Sequence, residues 1–177
     1  MNDRNIVRKI CINGGLAALV FITTYATKIP IPLSQGYFNL GDTIILIAAI
    51  LLGSRSGLLV GAFGSMLADL LGGYFYFAPL TFVVKGIEGY LAGRVMERKP
   101  FGSDLKNIIL SVTTGAIVLA AGYFLGEAFI LKLFVKSFGY AAALAELPLN
   151  ILQGAISAVV ACLIAVILKK TGVDRYI

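Results

Sequence analysis

Four acids and one base stand in or at the edges of apolar runs: Asp69, Lys85, Glu88, Glu127 and Glu146. Charges are rare and costly within a bilayer, so each is a functional candidate by default. Lys85 and Glu88 are three residues apart, which places them on one face of a helix. They either neutralise each other as a packing pair or offer a donor and an acceptor to a neutral or zwitterionic heterocycle. Glu146, Asn150 and Gln153 recur at helical spacing in "ELPLNILQG". A row of three polar groups is too much for lipid, so this face is expected to look into a bundle. Asp69 precedes Gly72-Gly73, where ligand contact and loop anchoring are equally open. Glu127 reads as interfacial.

Aromatic residues gather beside these groups: Tyr37 and Phe38, then Tyr74, Phe75, Tyr76 and Phe77. Part of this set suits a membrane-interface belt; the rest could stack on a flat ring and exclude water. Asn39 and Asp42 follow in "GYFNLGD". Asp42 stands where a side-chain oxygen caps a helix, with contact to a ligand or to the loop as the alternative.

The elements that must position these groups are helices. Of the 177 residues 59% are hydrophobic and 14% are charged, against about 25% charged in ordinary soluble domains. About 20 apolar residues are needed to cross a bilayer, so the chain reads as one transmembrane domain, residues 1–177, of six helices and short loops. The spans are expected at 6–29, 42–53 (extended by 37–40), 57–73, 79–96, 105–126 and 146–170, with a short interfacial helix over 127–140. The first apolar run reads as a retained span, since no cleavage site follows it. Eleven of the fifteen Lys and Arg fall on one side if the N-terminus is inside, leaving Lys28, Lys132 and Lys136 outside and Lys85 mid-membrane. Both termini are therefore expected in the cytoplasm, with 28–43 and 73–78 as outer loops.

Small residues mark other faces. Gly14 and Ala18 lie four apart on the first helix, and Gly57, Gly61 and Ser65 continue the pattern on the third. Such stripes let helices approach closely, within this bundle or against a partner. The chain has no His and no GxxxxGK[ST], so a His-based dyad and a P-loop are both excluded, and an enzyme is a poor fit. Cys11 and Cys162 sit apart in apolar runs and read as small core residues.

The stretches "GYFNLGD", "LLGSRSGLLVGAFGSMLADLLGGY", "APLTFVVKGIEG" and "ELPLNILQG" resemble the substrate-binding S-components of energy-coupling-factor (ECF) vitamin transporters. The likeness is to the riboflavin-transporter-like branch, which includes S-components for hydroxymethylpyrimidine and vitamin B6. It covers nearly the whole chain. It implies a multi-pass protein of the bacterial cell membrane with six helices and both termini inside. It implies a vitamin pocket near the outer surface, built from the first loop and helices four to six. It implies a transmembrane scaffold subunit and two ATPases as partners, so that ATP and Mg are used by those ATPases and no cofactor belongs to this chain. Tyr37 would then cover the ligand, and Asn39 would bond it or hold the loop shut. The ligand set becomes Tyr37, Asn39, Asp69, Tyr76, Lys85, Glu88, Glu146, Asn150 and Gln153, and the docking set Gly14, Ala18 and Gly61. Family members carry an AxxxA-like pair on helix one; Gly14 replaces one alanine here and keeps the face small. Delivery would occur by toppling of the whole subunit. Pyridoxine or hydroxymethylpyrimidine suits the polar set better than riboflavin, which stays open. Two rival functions are a solitary transporter or channel, which would need a polar path through the inner half, and an assembly protein whose polar residues pair only with one another.

Overall fold

In a computed structural model of the chain, residues 3–31 and 36–172 are described. Residues 32–35, part of the expected first outer loop, and Arg175, part of the charge count, lie outside them. Six α-helices follow in order: α1 Asp3–Ala26, α2 Gly41–Leu52, α3 Ser54–Leu71, α4 Ala78–Arg98, α5 Asp104–Leu125 and α6 Tyr140–Lys170. Two short strands, β1 Ile29–Pro30 and β2 Tyr37–Phe38, pair antiparallel between α1 and α2. The expected all-helical bundle therefore carries a small hairpin in its first loop.

The helix ends follow local chemistry. Pro79 occupies the first turn of α4, where its missing N–H leaves no bond unmade. Lys99 closes α4 in the left-handed conformation, just before Pro100. Gly53 has φ 87° between α2 and α3, a backbone that suits glycine and lets two helices join directly.

α2 is the central helix. It is apolar almost all round, and Ile45, Leu46, Ala48, Ala49 and Ile50 are buried, as expected of a helix enclosed by others. Its 12 residues rise only about 18 Å, too short to cross a bilayer alone. Among the described residues, three helical stretches are by length and composition long and apolar enough to do so: Ile6–Ala26, Asp104–Leu133 and Tyr140–Lys170. α3 and α4 fall short of that apolarity because they carry glycines and charges needed inside.

α3 and α4 lie backbone to backbone. A side chain at Gly57 would strike the Gly89 carbonyl, one at Gly89 the Gly57 carbonyl, and one at Gly61 the Lys85 carbonyl. The small stripe on α3 is thus an internal seam, and Gly61, expected on a docking face, is covered by α4. Gly14 and Ala18 are exposed on α1, and space around Gly14 is open. Cys11 is also exposed, against the core position expected of it. Towards the basic end, Leu46, Ile50, Ala92, Met96, Ile108, Val112, Ala161 and Ala165 form an apolar core.

The interfacial helix expected over 127–140 does not form. α5 instead runs into a π-helical turn, Gly126–Ile130, then a 3₁₀ turn, Leu131–Leu133. α6 starts six residues early, at Tyr140, with Pro148 inside it.

Candidate functional site

The polar groups converge at the end of the bundle covered by the hairpin. A cavity of about 20 Å³ lies there, lined by Tyr37, Asn39, Asp69, Glu146, Asn150 and Gln153 among others. Six of the nine expected ligand residues thus share one cavity. Apolar and hydroxyl groups complete its wall: Phe77, and Thr81 and Tyr123 with their hydroxyls 3.0 Å apart.

Gln153 is the hub. Its Oε1 accepts from the Asn39 backbone N–H at 2.8 Å and faces Asn39 Nδ2 at 3.4 Å, while its Nε2 donates to Asp42 Oδ2 at 2.6 Å. The other Asp42 oxygen accepts from the Lys85 ammonium. Glu88 stands 3.7 Å from that same ammonium. Asp42, Lys85 and Glu88 are all at most 2% exposed. Asp42 therefore makes no cap bond at the start of α2. A buried lysine left without an acceptor would be costly, and Asp42 supplies the acceptor across the bundle.

This revises two expectations. Lys85 and Glu88 share a face and approach each other, but the tighter partner of Lys85 is Asp42. Neither lines the cavity; Lys85 holds the Asp42 carboxylate, which in turn fixes the Gln153 amide. With an acidic acceptor below, Gln153 must turn its N–H₂ down and its carbonyl up, towards the loop.

The hairpin is fastened at three further points. The Gly36 N–H donates to Glu146 Oε1 at 3.0 Å. Asn39 Oδ1 accepts from the Gly41 N–H at 2.9 Å and lies 3.4 Å from Thr24 Oγ1 on α1. The Tyr37 hydroxyl donates to Asp69 Oδ1, and its ring packs 4.6 Å from that of Tyr74. Burial, with Asp69 beside it, pushes the Tyr37 phenol well above the usual tyrosine range, so it remains a donor. The Lys28 ammonium lies 4.7 Å from the centres of both the Tyr37 and Tyr74 rings and 5.0 Å from that of Tyr25, a cation–π arrangement. Burial lowers the Lys28 pKa, and Asp69 acts against that shift.

Tyr76, expected at the ligand, is 64% exposed and so is Phe75; they suit the interface belt. Phe77, from the same run, is the one that turns inward. Glu127, expected at the interface, is 0% exposed, because the π turn rotates it into the bundle beside Glu146. Gly36, Thr81 and Tyr123 carried no charge signal in the sequence and were not expected here. Among the described residues, no group of three His, Cys, Asp or Glu could hold a metal ion.

Known proteins share this arrangement of sequence. The family model described as "ECF-type riboflavin transporter, S component" matches residues 4–170. A protein of Pyrococcus woesei described as "Uncharacterized protein in gap 3'region" is 36% identical over 151 residues, covering 85% of this chain and 95% of that one. The thiamine precursor transporter HmpT of Lactococcus lactis subsp. cremoris (strain MG1363) is 28% identical over 174 residues, covering 98% of this chain and 94% of that one. The chain belongs to the ECF-type riboflavin transporter S-component family: it is a multi-pass, non-catalytic membrane subunit that binds a vitamin or vitamin precursor and associates with an energy-coupling module.

Proposed function

We propose that the chain binds a small hydroxymethyl-bearing heterocycle of pyrimidine type under the first-loop hairpin. A scaffold subunit and two ATPases, which use ATP and Mg, then complete its delivery inward. The observation that carries this reading is the small cavity and the polar atoms left over around it. Asn150 Nδ2 is buried without a partner, and Asp69 Oδ2 lies by Thr81 without a well-formed bond. Buried polar atoms are normally satisfied, so one spare donor and one spare acceptor suit a ring that carries both. A cavity of about 20 Å³ has room for about one water, so any ligand must lift the hairpin. A single ring with short polar substituents lifts it least. The thiamine-precursor name of the Lactococcus lactis relative supports the same class. Pyridoxine has the same ring size but no relative in its favour.

Riboflavin is the second reading, favoured by the family description. Its three fused rings would displace far more of the hairpin. Gly14 and Ala18 supply the scaffold-facing stripe in this proposal, since they are exposed on α1.

The test is mass spectrometry of ligand extracted from the purified chain, followed by calorimetric titration with hydroxymethylpyrimidine, pyridoxine and riboflavin. A pyrimidine mass and tightest pyrimidine binding are expected. A flavin mass, with no heat from the single rings, would overturn the proposal.

A further inference from the structure

Glu127 is the largest unexplained polar group near the cavity. Its residue is 0% exposed, and neither carboxylate oxygen has a hydrogen-bond partner among the described residues. It stands on a π-helical turn, a local widening that α-helices show mostly at functional sites. Its carboxyl lies against that of Glu146, which is 3% exposed and lines the cavity. One turn along α6, Asn150 lines the same cavity with its Nδ2 unpaired and its side chain 6% exposed.

Two buried carboxyls side by side repel when both are ionised, and packing alone gives no reason for them. A proton shared between them satisfies one oxygen of each and leaves the other oxygens as acceptors. Glu146 uses Oε1 to hold the Gly36 N–H of the hairpin, so the pair is already partly committed to the lid. What the pair lacks is a donor group from within the cavity. The unpaired Asn150 amide beside it lacks an acceptor. A heterocycle edge with an exocyclic N–H₂ next to a ring nitrogen presents both in one plane: the amino group donates, and the ring nitrogen accepts.

We propose that Glu146, backed by Glu127, forms an acid subsite that receives the amino group of an amino-substituted heterocycle, with the Asn150 amide taking the adjacent ring nitrogen. The inference rests on the preceding reading of the cavity as the ligand site and narrows its substrate class. The subsite makes the protein select for an amino group. Hydroxymethyl groups and ring size contribute affinity, while the acids contribute the discrimination. Glu127 does not itself line the cavity; it acts through Glu146 and is a positioning residue that no charge pattern in the sequence marked.

The experiment measures Kd by calorimetry for one matched pair: 4-amino-5-hydroxymethyl-2-methylpyrimidine against its 4-deamino analogue. A hydrogen bond to a charged group discriminates by about 10-fold or more, so wild type is expected to favour the amino member by that factor. Glu127→Gln should shrink the preference to about 2-fold by weakening only the amino member. Equal binding of amino and deamino members by wild type overturns the subsite while leaving the small-ring reading intact. An unchanged preference in Glu127→Gln also overturns it. Binding of neither pyrimidine, with riboflavin bound, overturns the small-ring reading and the subsite with it. The wild-type ratio needs no variant, so a misfolded Glu127→Gln protein leaves the test decisive.

Discussion

Two lysine–aspartate pairs stand at opposite ends of the molecule and behave as different chemistry. Lys85 and Asp42 are 2% and 1% exposed, and Asp42 is further bonded to Gln153. Lys169 meets Asp104 at 3.5 Å with Asp104 58% exposed, and Lys99 reaches the same carboxylate at 3.9 Å. Water can replace the second set of partners and cannot replace the first. The cavity end is built from polar atoms that depend on one another. The basic end is an apolar core with solvated charges at its rim. Polar networking and apolar packing occupy separate halves.

That contrast can be broken most severely at Lys85. Lys85→Met leaves Asp42 and Glu88 buried together without a cation. Loss of one partner of a buried pair costs about 3–5 kcal/mol, so thermal unfolding in detergent should show a large drop in Tm or no folded protein. A Tm unchanged from wild type would mean that the two carboxylates are neutral and the pair carries nothing.

The division of labour is tested on α1. Gly14→Leu with Ala18→Leu adds bulk to an exposed stripe far from the cavity. Ligand Kd in the isolated chain should stay within about 2-fold, since no polar contact is touched, while uptake in cells supplied with the energy-coupling module should be lost. Normal uptake would remove the stripe from the docking surface.

A smaller effect is expected at the lid. Tyr37→Phe removes the bond to Asp69 and leaves the ring against Tyr74. Affinity should fall about 5–10-fold, seen chiefly as faster dissociation in stopped-flow measurements. Unaltered dissociation would move the fastening to Gly36–Glu146 and Asn39–Gln153 alone. The smallest effect belongs to Asp104→Asn at the basic rim: stability should change by no more than about 0.5 kcal/mol, read from the same unfolding assay as Lys85→Met.

Much of this was legible in the sequence, for identifiable reasons. The apolar runs located all six helices, because hydropathy and Pro or Gly boundaries act locally. Charges within those runs pointed to the end where the polar groups converge, because burial is costly wherever it occurs. Partnership was not legible. Asp42 and Lys85 are 43 residues apart, and only the rotation of α2 against α4 brings them together. Spacing on one helix favoured Lys85 with Glu88, which is true but secondary. Glu127 was misplaced because a π turn shifts the face a residue presents, and no residue type announces such a turn. Tyr76 and Phe77 are neighbours with similar chemistry, and one helix start decides which of them enters the cavity. Gly61 carries the same small side chain as Gly14, yet one is welded to a neighbour and the other is bare.

The α3–α4 seam has a mechanical meaning. With Gly57 and Gly89 in backbone contact and Gly61 against Lys85, these two helices have no side-chain layer to shear through. They form a single plank, and any hinge for loading cargo must lie outside this pair. A covalent staple across the outer edges of α3 and α4 should therefore pass unnoticed in an uptake assay, whereas one tying β2 to α6 should trap the cargo or shut it out.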